Sequence, residues 1–341
     1  MSRNWIWTRI FKTLRFVFLL GLMLPACNSS GTTPASSPAP SSPPTLSYED
    51  LVFHYAPVIY QGTASDQDYI TAFDFDGDWI GANNWENQST GNLAAYVYYS
   101  IIETETHWFI FYSVFHPRDY TKNPCEESDG CHENDLESIQ LVVIKDETPF
   151  GNLAAVETLA HSDIFLYPID SSVKPNALKT AGQGGQVKFE GSHPIIYIET
   201  YGHGIYATRK ILLPGKIVYR VGDVAEVPEG IKDDHVDYQL VLIYDTLWAH
   251  RDEMGPGQAF DQSFDYRGRS LPFALDGVDF GEDRANTPWG YNQAIGDILD
   301  RGDWFLDPAK ALAYHASFDG DFSGEYLYNP YLADLDSGSA P

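Results

Sequence analysis

Basic residues are scarce in this chain. It has 21 Lys and Arg against 48 Asp and Glu, which gives a formal net charge of −27 at pH 7. Such an acidic protein is a poor partner for nucleic acid and a good one for cations. The sequence also lacks the Gly-x-Ser-x-Gly elbow, the Walker loop, the His-Glu-x-x-His motif and the dinucleotide fingerprint. It therefore points away from nucleic-acid binding and from those enzyme classes.

An apolar run lies close to the N-terminus, at residues 16–24, and follows four basic residues. This run is too short to span a bilayer comfortably, so residues 1–26 are predicted to be an export signal. The last residues of this segment, Leu24-Pro25-Ala26-Cys27, resemble the bacterial lipobox, whose cysteine is acylated and becomes the first mature residue. Cys27 is therefore the predicted lipidation site. The alternative is an ordinary signal peptide with a chance cysteine.

The next segment, residues 27–46, is rich in Ser, Pro, Thr, Ala and Gly, and this composition predicts an unfolded, semi-extended tether. Residues 47–341 contain no second linker and are predicted to form a single large domain. Asn28 follows the predicted lipidated cysteine, whereas lipoproteins of the inner membrane commonly have Asp there. We therefore expect an outer-membrane lipoprotein that faces either the periplasm or the cell surface.

Cysteine is rare, with three in the whole chain. Beyond Cys27 only Cys125 and Cys131 remain, in a polar loop of a predicted exported protein, and such pairs close under oxidising conditions. We expect a disulfide between them, which contributes about 2 kcal/mol because the closed loop is short. The bridge either shapes the site beside His132 or only staples a loop.

Runs rich in β-branched and aromatic residues predict strands at residues 94–102, 107–115, 138–144, 195–200, 216–221 and 238–244. Helical patterns are few, and the candidates are residues 48–55, 291–299 and 308–315. The regular alternation of strands and helices that Rossmann and TIM folds require is missing. The predicted fold is mostly β, an antiparallel β-sandwich of jelly-roll type with a few peripheral helices and long loops.

A histidine and three carboxylates are spaced to converge on one cation. Asp135 and Glu137 are two residues apart at the start of an apolar segment, so their side chains share one face if the strand begins there. His132 can approach from the preceding loop, and Asp119 can join if its strand pairs with this one. An oxygen-rich ligand set favours Ca²⁺, Mg²⁺ or Mn²⁺. The alternative is a solvated acidic loop.

The same residues carry a family resemblance. Residues 112–119, Tyr-Ser-Val-Phe-His-Pro-Arg-Asp, and 132–137, His-Glu-Asn-Asp-Leu-Glu, resemble the necrosis- and ethylene-inducing-peptide-like proteins and are also similar to Vps62-like proteins. The family has a Tyr-Ser-Trp-Tyr-x-Pro-Lys-Asp strand followed by Gly-His-Arg-His-Asp-Trp-Glu. The resemblance implies a β-sandwich and a divalent cation, held at the matching positions Asp119, His132, Asp135 and Glu137.

This sequence departs from the family pattern at Glu133, Asn134 and Leu136, where the family has Arg, His and Trp. The cytolytic activity of the plant-pathogen members is therefore not expected here. A weaker match follows a later strand, in residues 201–204, Tyr-Gly-His-Gly. It makes His203 a candidate for an outer-sphere or water-mediated contact with the cation.

A second acidic cluster lies at Asp74, Asp76 and Asp78, around Gly77. Its alternating carboxylates resemble a calcium loop, although the twelve-residue EF-hand frame and its final Glu are absent. It is a possible second calcium site. The alternative is an Asp-Gly turn between strands.

Two functions are compatible with these features. The first is a lipid-anchored, non-enzymatic domain whose divalent cation organises a pocket for a polar ligand such as a glycan or a lipid headgroup. The second is a metal-dependent hydrolase of phosphoesters or glycans, with Glu133 or His203 as the weakly indicated base. We favour the first, because the chain has no recognised nucleophile.

Overall fold

A computed structural model describes residues 46–125, 130–161, 163–182, 185–207, 216–277, 285–291 and 299–338. The predicted signal segment, Cys27, nearly all of the tether and most of the predicted helix 291–299 lie outside these residues. Among the described helices, none has the length and apolar character needed to span a bilayer.

Strands dominate the described part of the chain. The helices are α1 (Tyr48–Tyr55), α2 (Asn84–Asn87), α3 (Asp303–Leu306), α4 (Pro308–His315) and α5 (Pro330–Asp336). The strands are β1 (Val58–Gln61), β2 (Tyr96–Thr104), β3 (His107–Asp119), β4 (His132–Ile144), β5 (Asn152–Ala160), β6 (Asp163–Pro168), β7 (Val173–Pro175), β8 (Lys188–Glu190), β9 (His193–Ile198), β10 (Ile205–Tyr206), β11 (Ile217–Val221), β12 (Val236–Leu242), β13 (Ser263–Tyr266), β14 (Arg269–Pro272), β15 (Ala316–Phe318) and β16 (Tyr326–Tyr328).

One large sheet has the strand order β10-β9-β1-β11-β12-β2-β3-β4-β5-β6, with β8 beside β9 and β16 beside β2. This confirms the mostly-β prediction. The sheet is mixed, however, because β1 runs parallel to β9, and β12 runs parallel to both β11 and β2. An alternating pattern reveals that a segment is a strand but not the direction of its neighbour. The antiparallel jelly-roll part of the prediction is therefore not confirmed.

The longest pairing in the sheet joins β3 and β4, each thirteen residues long. Their antiparallel register sets His116 opposite Asp135 and Asp119 opposite His132. Both strands continue beyond the predicted runs 107–115 and 138–144, through polar residues that an apolar pattern does not include. This polar end of the β3–β4 pair carries the predicted cation ligands.

Two predicted helices are confirmed with their bounds. α1 begins with a capping box, in which Ser47 and Asp50 satisfy each other's backbone N–H groups. α4 begins with Pro308, which is tolerated there because the first helical N–H groups have no partner within the helix. At its end, His315 Nδ1 lies 2.6 Å from Glu157 Oε1, and both side chains are fully buried. This pair joins α4 to β5 in the core.

The predicted disulfide between Cys125 and Cys131 is present, with the two Cα atoms 5.4 Å apart. Cys131 directly precedes β4, so the bridge holds the chain just before His132. The disulfide is therefore both a staple of the β3–β4 connection and a neighbour of the predicted cation ligands.

Candidate metal centre

The four predicted ligands line one cavity of about 290 Å³ at the polar end of β3 and β4. They are Asp119, His132, Asp135 and Glu137, and each is less than 10% exposed. The rest of the lining is Gly130, two residues before His132, and four residues from distant parts of the chain: His161, Gly202, Asn286 and Tyr291. The alternative of a solvated acidic loop does not fit this enclosed arrangement.

The backbone of Asn134 explains how His132 and Asp135 reach the same cavity. Residues three apart in a regular strand point to opposite faces, because side chains alternate. Asn134 breaks this alternation with a left-handed backbone, at φ 56°, which Asn tolerates better than most residues. Its side chain is fixed from both ends, because Asn84 Nδ2 donates to Asn134 Oδ1 at 2.6 Å and Asn134 Nδ2 donates to Gly81 O at 3.1 Å.

His132 is oriented to present Nε2 to the carboxylates. Its Nδ1 lies 3.1 Å from the carbonyl oxygen of Glu133 and 2.9 Å from that of Asn134. Because carbonyl oxygens only accept hydrogen bonds, Nδ1 must carry the hydrogen. Nε2 then lies 3.3 Å from Asp119 Oδ2. A backbone contact of this kind fixes the tautomer of a metal-ligating histidine and leaves Nε2 available to a cation.

The carboxylates are electrostatically crowded without a cation. Burial opposes ionisation of Asp119, but the hydrogen bond with His132 and the nearby His203 outweigh it and lower the pKa of Asp119. Burial raises the pKa of Asp135 despite the hydrogen bond with His203. Burial, and then the charge of Asp135, raise the pKa of Glu137 well above its ordinary value. Glu137 Oε2 is buried and has no hydrogen-bond partner among the residues that the structure describes. A divalent cation would remove both the repulsion and the unmet acceptor.

His203 contacts the site from behind and does not line the cavity. Its Nδ1 lies 2.6 Å from Asp135 Oδ2, and its Nε2 lies 2.9 Å from Asp68 Oδ1. Burial opposes protonation of His203, but the charge of Asp68 and the hydrogen bond with Asp135 outweigh it and raise the pKa well above the ordinary value. With both nitrogens engaged, His203 offers no free lone pair to a cation.

Sequence reasoning missed Asp68 and His116. The structure brings ligand atoms of Asp119, Asp135 and His203 within 4.8 Å of one another, and likewise those of Asp68, His116 and His203. The second group suits a cation poorly, because the rings of His116 and His203 are stacked at 3.9 Å and nearly parallel, so their lone pairs do not converge. His116 could have been found from its place three residues before Asp119. Asp68 lies in a polar loop that gives no signal.

The weakly indicated base Glu133 does not line the cavity. Its side chain is buried, and Glu133 Oε1 accepts a hydrogen bond of 2.7 Å from the backbone N–H of Trp85. The carboxylate therefore holds the first turn of α2 against β4. This is a structural contact, away from the place where a cation-bound ligand would lie.

The second acidic cluster forms a turn around Gly77, whose φ is 100°. Asp76 Oδ1 accepts a hydrogen bond of 3.2 Å from the N–H of Asp78, and Asp78 Oδ1 accepts one of 2.7 Å from the N–H of Ile80. Asp74 is exposed and is not part of either group of clustered ligand atoms found among the described residues. The geometry favours the Asp-Gly turn, and calcium binding here stays a prediction.

No protein-family model and no curated protein matches the chain. Among solved structures, it is similar to the non-toxic protein HaNLP3 (14% identity, 59% of this chain, 78% of that chain, TM-score 0.32). It is also similar to Necrosis and Ethylene inducing Protein 2 from the causal agent of cocoa's Witches Broom disease (15% identity, 64% of this chain, 84% of that chain, TM-score 0.35). A third similar structure is NLPPya in complex with glucosamine (17% identity, 64% of this chain, 83% of that chain, TM-score 0.33). At these TM-scores the likeness says nothing about the site.

We predict that Glu137→Gln stabilises the cation-free protein at neutral pH. An acid whose pKa is higher in the folded than in the unfolded state destabilises the fold as pH rises above the unfolded-state value, which is about 4.3 for Glu. Removing the charge removes this penalty. Thermal unfolding in chelator should therefore show a higher melting temperature for Glu137→Gln at pH 7.5, and the difference should vanish near pH 4.

The matched control for this experiment is Glu147→Gln, which changes an exposed loop carboxylate. Its melting temperature should follow that of the unaltered protein at every pH. A Glu137→Gln variant that is less stable than the unaltered protein in chelator at pH 7.5 would contradict the prediction.

Proposed function

We propose that this chain is a lipid-anchored extracytoplasmic protein whose cavity binds a divalent cation, and that the cation organises the cavity for a polar ligand such as a glycan or a lipid headgroup. The observation that carries the proposal is the convergence of three buried carboxylates and an imidazole Nε2 on one cavity. Asp119, His132, Asp135 and Glu137 are the proposed ligands.

The donor set decides which cations are suitable. Ca²⁺, Mg²⁺ and Mn²⁺ favour carboxylate, carbonyl and water oxygens, whereas zinc and copper sites are richer in imidazole and thiolate. The two cysteines near the site are joined in a disulfide and supply no thiolate. One imidazole beside three carboxylates therefore supports one of the oxygen-preferring cations.

The cavity has room for more than an ion. Its volume of about 290 Å³ is many times the roughly 30 Å³ that one water molecule takes up in the liquid. His161 and Asn286 add hydrogen-bonding groups to the lining beside the carboxylates. Together with a cation that keeps open positions, this lining supports a small ligand with hydroxyl or phosphate oxygens.

Binding is favoured over hydrolysis because the bases first considered are engaged elsewhere. Glu133 holds the N–H of Trp85, and both nitrogens of His203 face carboxylates. The hydrolase alternative is favoured by one observation: His161 lines the cavity and its Nε2 lies 2.6 Å from Glu199 Oε1. An exposed histidine oriented by a carboxylate is a suitable general base.

We predict that Ca²⁺, Mg²⁺ or Mn²⁺ raises the melting temperature of the purified protein and that Asp135→Asn abolishes the rise. A ligand present at 100 times its dissociation constant adds about 2.7 kcal/mol to the free energy of unfolding. Asp78→Asn is the matched control, because it makes the same change in the second acidic cluster. Indifference of the unaltered protein to chelator and to all three cations would contradict the proposal, and loss of the response in Asp78→Asn would place the cation at the second cluster.

We predict that small polar ligands bind only when the cation is present. Glucosamine and glycerol phosphate are the probes, because one carries hydroxyls with an ammonium group that suits an acidic cavity and the other carries a phosphate that suits a bound cation. Calorimetric titration should detect at least one of them in Ca²⁺ and neither in chelator. His161→Asn should lower the affinity for the probe and leave the affinity for the cation unchanged. Asn is chosen because it tolerates the left-handed backbone at this position, where φ is 58°.

Probe binding that is equal in Ca²⁺ and in chelator would contradict a role of the cation in ligand binding. Release of inorganic phosphate from glycerol phosphate, abolished in His161→Asn, would favour the hydrolase instead.

The membrane anchor is a separate part of the proposal, supported by the sequence around Cys27. We predict that cells fed a labelled fatty acid incorporate it into the unaltered protein and place the protein in the outer-membrane fraction. Cys27→Ser should abolish both the label and the membrane association, whereas the fold and the cation response should be unchanged. Membrane association that persists in Cys27→Ser without label would contradict lipidation.

A further inference from the structure

Three buried side chains form a hydrogen-bonded series that leads away from the proposed cation cavity. Asp68 Oδ1 lies 2.9 Å from His203 Nε2, and His203 Nδ1 lies 2.6 Å from Asp135 Oδ2. Asp68 and His203 are fully buried, and only Asp135 also lines the cavity. Because the imidazole engages Oδ2 of Asp135, it leaves Oδ1 for a cation. The orientation of one proposed ligand therefore depends on a residue that the cation does not touch.

The backbone at His203 is strained, and its surroundings hold the side chain in place. His203 has a left-handed backbone, at φ 40°, directly after Gly202 at φ 73°. Such a conformation is strained for a residue with a Cβ and persists only where the surroundings hold it. Here the two carboxylates hold the ring, and the ring of His116 is stacked against it at 3.9 Å.

Asp68 is itself fixed to the fold. Its Oδ2 accepts a hydrogen bond of 2.7 Å from the N–H of Ala64. The amide of Gln61, the last residue of β1, donates to the carbonyl of Asp68 at 2.8 Å and lies 2.9 Å from His116 Nε2. A buried carboxylate is costly unless it is paired and hydrogen-bonded, and both oxygens of Asp68 are satisfied in this way.

We infer that Asp68 is a positioning residue of the cation site, which acts through His203 to fix the oxygen that Asp135 presents to the cation. The inference rests on the proposed cation site at Asp119, His132, Asp135 and Glu137. Outer partners that orient metal ligands in this way typically contribute 10- to 100-fold to metal affinity. Asp68 thus sets how tightly the site binds its cation without being one of its ligands.

The test compares Asp68→Asn with Glu157→Gln in the full chain. Each variant replaces one carboxylate of a buried pair with histidine by the isosteric amide, and Glu157 does not line the cavity. An amide at position 68 has one acceptor oxygen and no charge, so it cannot accept from both Ala64 and His203, and the charged pair with His203 is lost. Titration calorimetry with Ca²⁺ and Mn²⁺ should show affinity about 10- to 100-fold lower in Asp68→Asn and unchanged in Glu157→Gln.

The spectrum of bound Mn²⁺ gives a second readout that stability alone does not change. Electron paramagnetic resonance should show an altered coordination signal in Asp68→Asn and an unaltered one in Glu157→Gln. If Asp68→Asn does not unfold cooperatively, His203→Asn takes its place, because Asn tolerates the backbone at this position and removes both contacts.

Each outcome either supports or overturns the inference about Asp68. Weakened binding in Asp68→Asn or His203→Asn, with Glu157→Gln unchanged, supports the inference. Equal affinity in all variants, or an equal loss in Glu157→Gln, overturns it while the cation site stands. Absence of cation binding in the unaltered protein, with Asp135→Asn behaving identically, overturns the proposed function and this inference together.

Discussion

The register of β3 against β4 is the constraint on which the candidate site depends. It sets Asp119 opposite His132 and His116 opposite Asp135. A shift by one residue would turn every side chain of one strand to the other face of the sheet. The apolar residues along the rest of both strands fix the register, so the sheet core and the polar site are specified by the same pairing.

That pairing brings buried acidic groups together, and their partners lie on two sides, towards the cavity and behind it. Towards the cavity, Asp119 is matched by His132, while one oxygen of Glu137 has no hydrogen-bond partner within the described part of the chain. Behind the cavity, His203 lies between Asp135 and Asp68. The proposed cation would complete the contacts on the cavity side, whereas the hydrogen bonds behind the cavity are formed within the protein itself. This difference is what separates a proposed ligand from a proposed positioning residue.

Sequence patterns were informative where one local rule dominates. The helix at 308–315 follows from proline at its first position, and the strands follow from runs of β-branched and aromatic residues. The four proposed cation ligands follow from spacing and from the resemblance of two short motifs. Three features were not predictable from the sequence, for physical reasons. Strand direction is set by partners distant in sequence, and Asp68 reaches the site from an irregular loop. The left-handed backbone of Asn134 overrides the alternation of side chains.

The disulfide makes the geometry of the site depend on whether the protein is in an oxidising or a reducing compartment. Asp119 and His132 stand at the two ends of the β3–β4 connection, and the bridge shortens that connection by joining Cys125 to Cys131, six residues apart. Without the bridge, the two side chains are joined by a longer uncrosslinked chain, and bringing them together costs more conformational entropy. An oxidising compartment, in which the bridge closes, therefore favours the geometry of the proposed cation site over that of the same sequence in a reducing one.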